Sequence, residues 1–183
     1  IQGLTEFLPV SSSGHLEITR ELLSTNQLPS DNLLMTSVLH FATALSTILV
    51  FRKDIYDLIK GLFDKENKNS KSYVIKILIA IVPAGLVGFL LSDEIEFLFS
   101  GNMTLVGIML IITGTLLFLT KIMKTKNFKI SSVHALIIGL SQAFAVIPGI
   151  SRSGATICTS LFLGNNKSEA AKFSFLIVIP VIF

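Results

Sequence analysis

The chain has 183 residues, of which 51% are hydrophobic and only 15% are charged, and its mean hydropathy is +0.73. This balance is typical of a polytopic membrane protein and argues against an ordinary soluble domain. The basic pI of about 9.1 does not indicate a nucleic-acid partner, because the lysines lie in two short runs between apolar segments. The single cysteine, Cys158, excludes an internal disulfide framework and a cysteine metal cluster.

The first sixteen residues place acid, amide, hydroxyl and imidazole groups in an otherwise apolar chain. Gln2 and Glu6 are four residues apart, so they project from one face of a short helix that Pro9 ends. A second helix is predicted from His15 to Leu23, capped by three hydroxyls and a glycine: Ser11, Ser12, Ser13 and Gly14. Its free N–H groups favour an anion, which would face the Glu6 carboxylate. Holding both charges together requires a divalent cation or a shared proton.

Three apolar segments are long enough to span a membrane, over residues 33–51, 73–91 and 103–120. His40, in the middle of the first segment, is predicted to be hydrogen-bonded to a neighbouring helix, although a polar residue in a span is also a site candidate. In the second segment, Pro83, Gly85 and Gly88 are predicted to allow a kink or a close helix contact. A further apolar helix is predicted to begin near Phe173.

The segments that connect the spans differ in charge. Residues 52–72, predicted as a solvated loop, carry six Lys or Arg, and residues 121–129 carry four, whereas the acidic connector 92–102 carries none. Basic loops stay on the cytoplasmic side of a membrane. The opening stretch is therefore predicted to lie on the extracytoplasmic side, and the segment from Ile130 to start on the cytoplasmic side. The polar connector around Pro29 is expected at an interface.

A second polar stretch, over residues 137–156, echoes the first. GLSQ at 139–142 corresponds to GLTE at 3–6, and both copies continue to a proline, a serine-rich turn and a glycine that opens another helix. Because the copies enter from opposite sides, the sequence predicts an all-α polytopic membrane protein with an inverted-topology repeat, in which two re-entrant broken helices meet near the midplane. The repeats are assigned to about 1–91 and 103–183 of one membrane domain.

Arg152 lies between Ser151 and Ser153 at the start of a predicted buried helix. An arginine in a membrane is costly without an anionic partner, and its guanidinium matches two phosphate oxygens. Two interpretations stay open at this point. Arg152 binds a phosphate, or it forms a structural ion pair with Glu6 that leaves nothing for a substrate.

Together, QGLTEFLPVSSSGHL at 2–16 and PGISRSGAT at 148–156 strongly resemble the two signature motifs of the undecaprenyl-diphosphatases of the bacitracin-resistance type. The family's proteins extend beyond both ends, so the chain is expected to be a fragment. The resemblance implies hydrolysis of undecaprenyl diphosphate to undecaprenyl phosphate and inorganic phosphate on the outer side of the bacterial inner membrane. This reaction recycles the lipid carrier for peptidoglycan synthesis and confers bacitracin resistance.

Carried over by position, the resemblance implies four catalytic residues: Glu6, Ser12, His15 and Arg152. The resemblance also implies that residues of the two turns bind the diphosphate: Ser11, Ser13, Gly14, Ser151, Arg152 and Ser153. Mg²⁺ or Ca²⁺ is implied at Gln2 and Glu6, where the Gln2 amide is the weaker ligand. The nucleophile stays open between Ser12, His15 and a water molecule.

The alternative function is a lipid-phosphate transporter or flippase that uses the same anion site. A carrier needs Arg152 and the helix N-termini but no nucleophile, so the presence of His15 beside Glu6 and Ser12 favours the phosphatase. The expected partners are a polyprenyl diphosphate and membrane lipid, and the sequence leaves a homo-oligomer open.

Single cysteines introduced at Asn69 and Thr125 are expected to react with a membrane-impermeant maleimide only from the cytoplasmic side, because both positions lie in basic connectors. Comparing labelling of intact cells with labelling of inverted membrane vesicles measures this. Reaction of either cysteine in intact cells would reverse the predicted topology.

Overall fold

The structure is a computed structural model that describes residues 1–23, 32–64, 66–91, 94–95, 102–123 and 126–182, without the side chains of 32–37. Within these ranges the chain forms helices and irregular connections, and its only strand-like feature is an isolated bridge between Phe128 and Asn165. The connector around Pro29, most of the acidic connector, and the basic positions 124–125 lie outside the described residues. The predicted all-α class is confirmed for the part of the chain described.

Helices of four residues or more are numbered here in chain order: α1 (Gln2–Thr5), α2 (Ser12–Leu22), α3 (Asn32–Val50), α4 (Arg52–Phe63), α5 (Lys68–Leu90), α6 (Met103–Ile122), α7 (Ser132–Phe144), α8 (Arg152–Phe162) and α9 (Lys167–Ile182). Helix α9 begins before the predicted start near Phe173, because the polar residues 167–172 also take helical geometry.

Within the described part of the chain, two helices, α5 and α6, are long and apolar enough to cross a membrane, with mean hydropathies of 2.3 and 2.2. Only 17% and 11% of these apolar windows are buried inside the protein, so neither is the core helix of a soluble fold. The exposed face of α5 is a continuous apolar stripe: Ile75, Leu78, Val82, Leu86 and Phe89. Such a surface requires a lipid environment, and the chain is an all-α membrane protein.

The segment predicted as a solvated loop, residues 52–72, contains the helix α4. That prediction is wrong because the lysines obscured a helical pattern of apolar residues at Ile55, Leu58, Ile59 and Leu62. Helix α4 packs against α5, the span that follows it.

The buried core lies where α5, α7 and α9 meet, and it is formed by Ala80, Ile130, Ala135, Ile138, Phe173 and Ile177. Gly139 of α7 lies directly on the backbone of Ala80, so that a Cβ at this position would lie 2.8 Å from the Ala80 Cα. At Gly85 and Gly88 a Cβ would meet nothing within 4 Å. The close helix contact predicted at those two glycines is instead made at Gly139, because they face open space.

Both polar stretches break the helix that carries them. Helix α7 ends at Phe144, and Gly149 follows with φ of +93°, where a Cβ would lie 2.7 Å from the Val106 carbonyl oxygen. In the first stretch Ser11 takes φ of +68°, a conformation that is costly for a residue with a side chain. Each turn therefore contains one residue in left-handed geometry, just before or at the start of the following helix.

Replacing Gly139 with alanine is expected to destabilise the protein by about 1–3 kcal/mol, because the new methyl group meets backbone atoms that cannot rotate away. The measurement is the thermal unfolding temperature in detergent. Gly85→Ala is the matched control, since its methyl enters open space and removing a helical glycine stabilises by about 0.5–1 kcal/mol. Equal unfolding temperatures for the two variants would show that α5 and α7 are not held at this distance.

Candidate active site

The two serine-rich turns have the same internal hydrogen bonds. In the first, Ser11 Oγ accepts from the Gly14 N–H at 3.2 Å, and in the second, Ser151 Oγ accepts from the Gly154 N–H at 3.0 Å. In each turn the capping hydroxyl also lies 3.3 Å from the hydroxyl two residues later. These serines cap α2 and α8 in the same way, so both helices present their N-terminal backbone N–H groups in a similar setting.

The two turns lie against each other. The Gly149 N–H donates to Ser13 Oγ at 3.5 Å, and Ser153 Oγ donates to the Leu8 carbonyl oxygen at 3.5 Å. A Cβ on Gly154 would lie 3.0 Å from the Pro9 carbonyl oxygen, so only a glycine allows this approach without displacing the neighbouring chain. The N-termini of α2 and α8 are therefore brought to one place.

Glu6 is the centre of the polar contacts between the turns. Its Oε2 accepts hydrogen bonds from Gln2 Nε2 at 2.9 Å and from the Ser12 hydroxyl, and its Oε1 accepts from Arg152 Nη2 at 3.1 Å. The Glu6 side chain is 8% exposed and that of Arg152 is 19% exposed. The structure thus brings together four of the residues that the sequence singled out.

His15 stands apart from this group. Its Nδ1 donates to the Ser11 carbonyl oxygen at 2.7 Å, because a carbonyl can only accept. Among the described residues no hydrogen bond joins His15 to Ser12 or Glu6, and the nearby Glu17 pairs with Arg20 at 2.8 Å. In this arrangement His15 holds the backbone of the turn, and the base nearest to the Ser12 hydroxyl is Glu6.

A cavity of about 760 Å³ opens beside these groups. Its polar lining includes Glu6, Ser12 and Arg152. Its apolar lining, called here the apolar wall, comes largely from three helices, α3, α5 and α9, through Val38, Phe41, Ala84, Val178 and Val181. A ligand with a charged head and an apolar chain matches both parts of this lining.

Several buried polar atoms near the contact between the turns have no hydrogen-bond partner among the described residues. They are Nη1 of Arg152 and both amide atoms of Gln142, whose residues line the cavity, and Oε1 of Gln2, which is bonded to Glu6. Leaving such an atom unpaired costs about 1–3 kcal/mol, so their concentration here points to a ligand that supplies partners. Arg152 does form the ion pair with Glu6 that was considered from the sequence, but only through Nη2, and its Nη1 has no partner among the described residues.

Three residues that shape the site were not assigned to it from the sequence. Gln142 lines the cavity, and its correspondence to Glu6 in the repeat was a usable signal. Thr113 of α6 anchors the second turn, since its hydroxyl accepts from the Ser151 N–H at 3.1 Å. His40 lines the cavity with no side-chain hydrogen bond to any described residue, so the predicted bond to a neighbouring helix is wrong.

The donor set at Glu6 fits a divalent cation that is shared with a substrate. Within the described ranges no group of three or more His, Cys, Asp or Glu residues is placed to hold a metal by itself. Gln2 Oε1 is unpartnered and its residue is bonded to the Glu6 carboxylate. Mg²⁺ commonly binds through one or two protein oxygens while substrate phosphates and waters complete its shell.

Comparison with known proteins identifies the family of the chain. The family described as bacitracin resistance protein BacA matches residues 1–183. Aligned over its whole length, the chain is 54% identical to the undecaprenyl-diphosphatase of Christiangramia forsetii, 48% to that of Bacteroides fragilis and 42% to that of Methanococcus vannielii. It covers 69%, 68% and 72% of those proteins, respectively. The chain belongs to the bacitracin resistance protein BacA family.

Proposed function

We propose that this protein is a membrane phosphatase that hydrolyses undecaprenyl diphosphate to undecaprenyl phosphate and inorganic phosphate. The observation that carries the proposal is the hydrogen bond from the Ser12 hydroxyl to the buried Glu6 carboxylate, in the polar lining of a cavity that also has an apolar wall. A nucleophile beside a base has no purpose in a carrier that only moves the lipid. Relatives named undecaprenyl-diphosphatase support the same reaction.

The reaction begins with attack by Ser12 on the terminal phosphorus. As the Ser12 oxygen bonds to phosphorus, its proton passes to Glu6, the acceptor of its hydrogen bond. The bond between phosphorus and the bridging oxygen breaks, and the lipid monophosphate leaves with the bonding electrons and takes the proton. A water molecule then hydrolyses the phosphoserine, which releases inorganic phosphate and restores the Ser12 hydroxyl.

The second turn stabilises the negative charge. Arg152 Nη1 is an unpartnered donor, and its Nη2 is held in place by Glu6. The N-termini of α2 and α8 add backbone N–H groups, which favour phosphate oxygens. A divalent cation at Gln2 and Glu6 would neutralise part of the diphosphate charge.

The same proposal includes the placement of the site in the membrane. We take α1–α2 and α7–α8 as two re-entrant broken helices of an inverted repeat, supported by their equivalent serine caps and their mutual contact. The basic connectors support an opening on the extracytoplasmic side of the bacterial inner membrane. The prenyl chain lies along the apolar wall, and the reaction returns the lipid carrier to peptidoglycan synthesis.

Phosphate release from a polyprenyl diphosphate in detergent tests the proposal. Ser12→Ala and Glu6→Gln are each expected to lower kcat by about 10²–10⁴-fold, because they remove the nucleophile and its base. His15→Ala is expected to lower kcat by a smaller factor, since His15 is hydrogen-bonded to neither the Ser12 hydroxyl nor the Glu6 carboxylate.

Two substitutions serve as matched controls for that assay. Thr115→Ala removes a hydroxyl from the exposed face of α6, and Glu21→Gln neutralises an exposed carboxylate, so both are expected to keep full activity. Binding of the lipid by the unsubstituted protein without any phosphate release would instead favour a transporter or flippase.

Chelation tests the divalent cation. EDTA is expected to abolish phosphate release, and added Mg²⁺ or Ca²⁺ is expected to restore it. The reason is that Arg152 alone neutralises only part of the diphosphate charge. Gln2→Ala is expected to raise the Mg²⁺ concentration needed for half-maximal activity. Full activity in EDTA would remove the cation from the mechanism.

A further inference from the structure

We propose that Gln142 binds the diphosphate headgroup, and that its neutral carboxamide allows a polyanion to bind in the cavity without charge repulsion. This inference rests on the proposed function and adds a residue to its site. Gln142 lies in α7 and is only 2% exposed, yet it lines the same cavity as Glu6 and Arg152. Both of its amide atoms lack a hydrogen-bond partner within the described part of the chain.

The internal repeat gives Gln142 a counterpart in the first half of the chain. GLSQ at 139–142 corresponds to GLTE at 3–6, so Gln142 occupies the place of Glu6, in the helix that leads to the opposite turn. The two side chains differ in their hydrogen bonds to the rest of the protein. Glu6 accepts three hydrogen bonds from protein groups, whereas the Gln142 amide receives and gives none.

An amide in this position has the donors and acceptors that a phosphate group needs. Its Nε2 can donate two hydrogen bonds to phosphate oxygens, and its Oε1 can accept from a protonated phosphate or from a water molecule. Arg152 Nη1, also unpartnered and buried, adds a charged donor to the same cavity. A bound headgroup would therefore satisfy several atoms that are otherwise left unpaired at a cost.

The charge balance of the cavity explains why this residue is not a carboxylate. Among the described residues that line the cavity, the charged side chains are Glu6 and Arg152, which cancel each other, and His40 is the remaining titratable one. A carboxylate at position 142 would compete with the substrate for Arg152 and would repel the diphosphate in a low-dielectric setting. The amide supplies hydrogen bonds without this penalty.

Two substitutions that keep about the same side-chain volume separate the hydrogen bonds of Gln142 from its lack of charge. Gln142→Met removes the hydrogen bonds and adds no charge, and it is expected to raise KM by about 10–100-fold with a smaller change in kcat. Gln142→Glu adds the charge and is expected to lower kcat/KM further than Gln142→Met does. Leu140→Met, on the exposed side of the same helix, is the control and is expected to match the unsubstituted protein.

A binding measurement makes the test independent of turnover. In the Ser12→Ala background, a polyprenyl diphosphate is expected to raise the unfolding temperature, and Gln142→Met is expected to remove most of this rise. The unfolding temperature of the unliganded Gln142→Met variant is expected to stay the same or to rise, because methionine removes two buried polar atoms that lack partners. A lowered unfolding temperature without ligand, with KM unaffected, would show that Gln142 has only a structural role.

The outcomes distinguish this inference from the proposed function. If the unsubstituted protein releases phosphate and both Gln142 variants keep its KM and kcat, the inference is wrong and the phosphatase stands. If the unsubstituted protein releases no phosphate, the proposed function fails, and the ligand-induced rise in unfolding temperature alone decides whether Gln142 binds the headgroup.

Discussion

The buried contact between Glu6 and Arg152 is the interaction on which the arrangement of this site depends. It joins two polar stretches that are 146 residues apart in the chain. Either charge alone would be expensive in this position, and breaking a buried pair by removing one partner typically costs about 3–5 kcal/mol. The pair joins the two turns, and the same carboxylate also accepts hydrogen bonds from Gln2 and from the Ser12 hydroxyl.

The two turns share their local structure and differ in their chemistry. Each is capped by a serine whose hydroxyl accepts from the N–H of a glycine, and at Gly154 an added Cβ would lie 3.0 Å from the Pro9 carbonyl oxygen of the opposite turn. The first turn carries the Ser12 hydroxyl beside the Glu6 carboxylate, and the second carries a guanidinium near a buried amide. In the proposed mechanism, the first turn carries the attacking group and the second turn stabilises the negative charge.

The apolar helices provide a rigid frame for these polar groups. Gly139 allows α7 to lie on the backbone of α5, and Thr113 ties the second turn to α6. In a lipid environment such close contacts, and not the exclusion of water, hold helices together. Apolar residues of α3, α5 and α9 line the same cavity as Glu6 and Arg152, so it offers both charged groups and an apolar surface.

Local signals in the sequence determined much of this structure. The all-α class, the spans that became α5 and α6, the serine caps and the break near Pro148 depend on residues close together in the chain, so periodicity and capping patterns predict them. At residues 52–63 the charge pattern led to the wrong prediction of a solvated loop, because the lysines obscured the amphipathic helix α4. Composition and motifs also singled out Glu6, Ser12 and Arg152.

Only the tertiary structure decided which of these groups meet. It paired Arg152 with Glu6 through one nitrogen and left the other unpartnered, bonded His15 to a backbone carbonyl, and buried the amide of Gln142 without a hydrogen-bond partner among the described residues. These contacts depend on the separation of helices far apart in sequence. That separation is set by packing at positions such as Gly139, which no local pattern encodes.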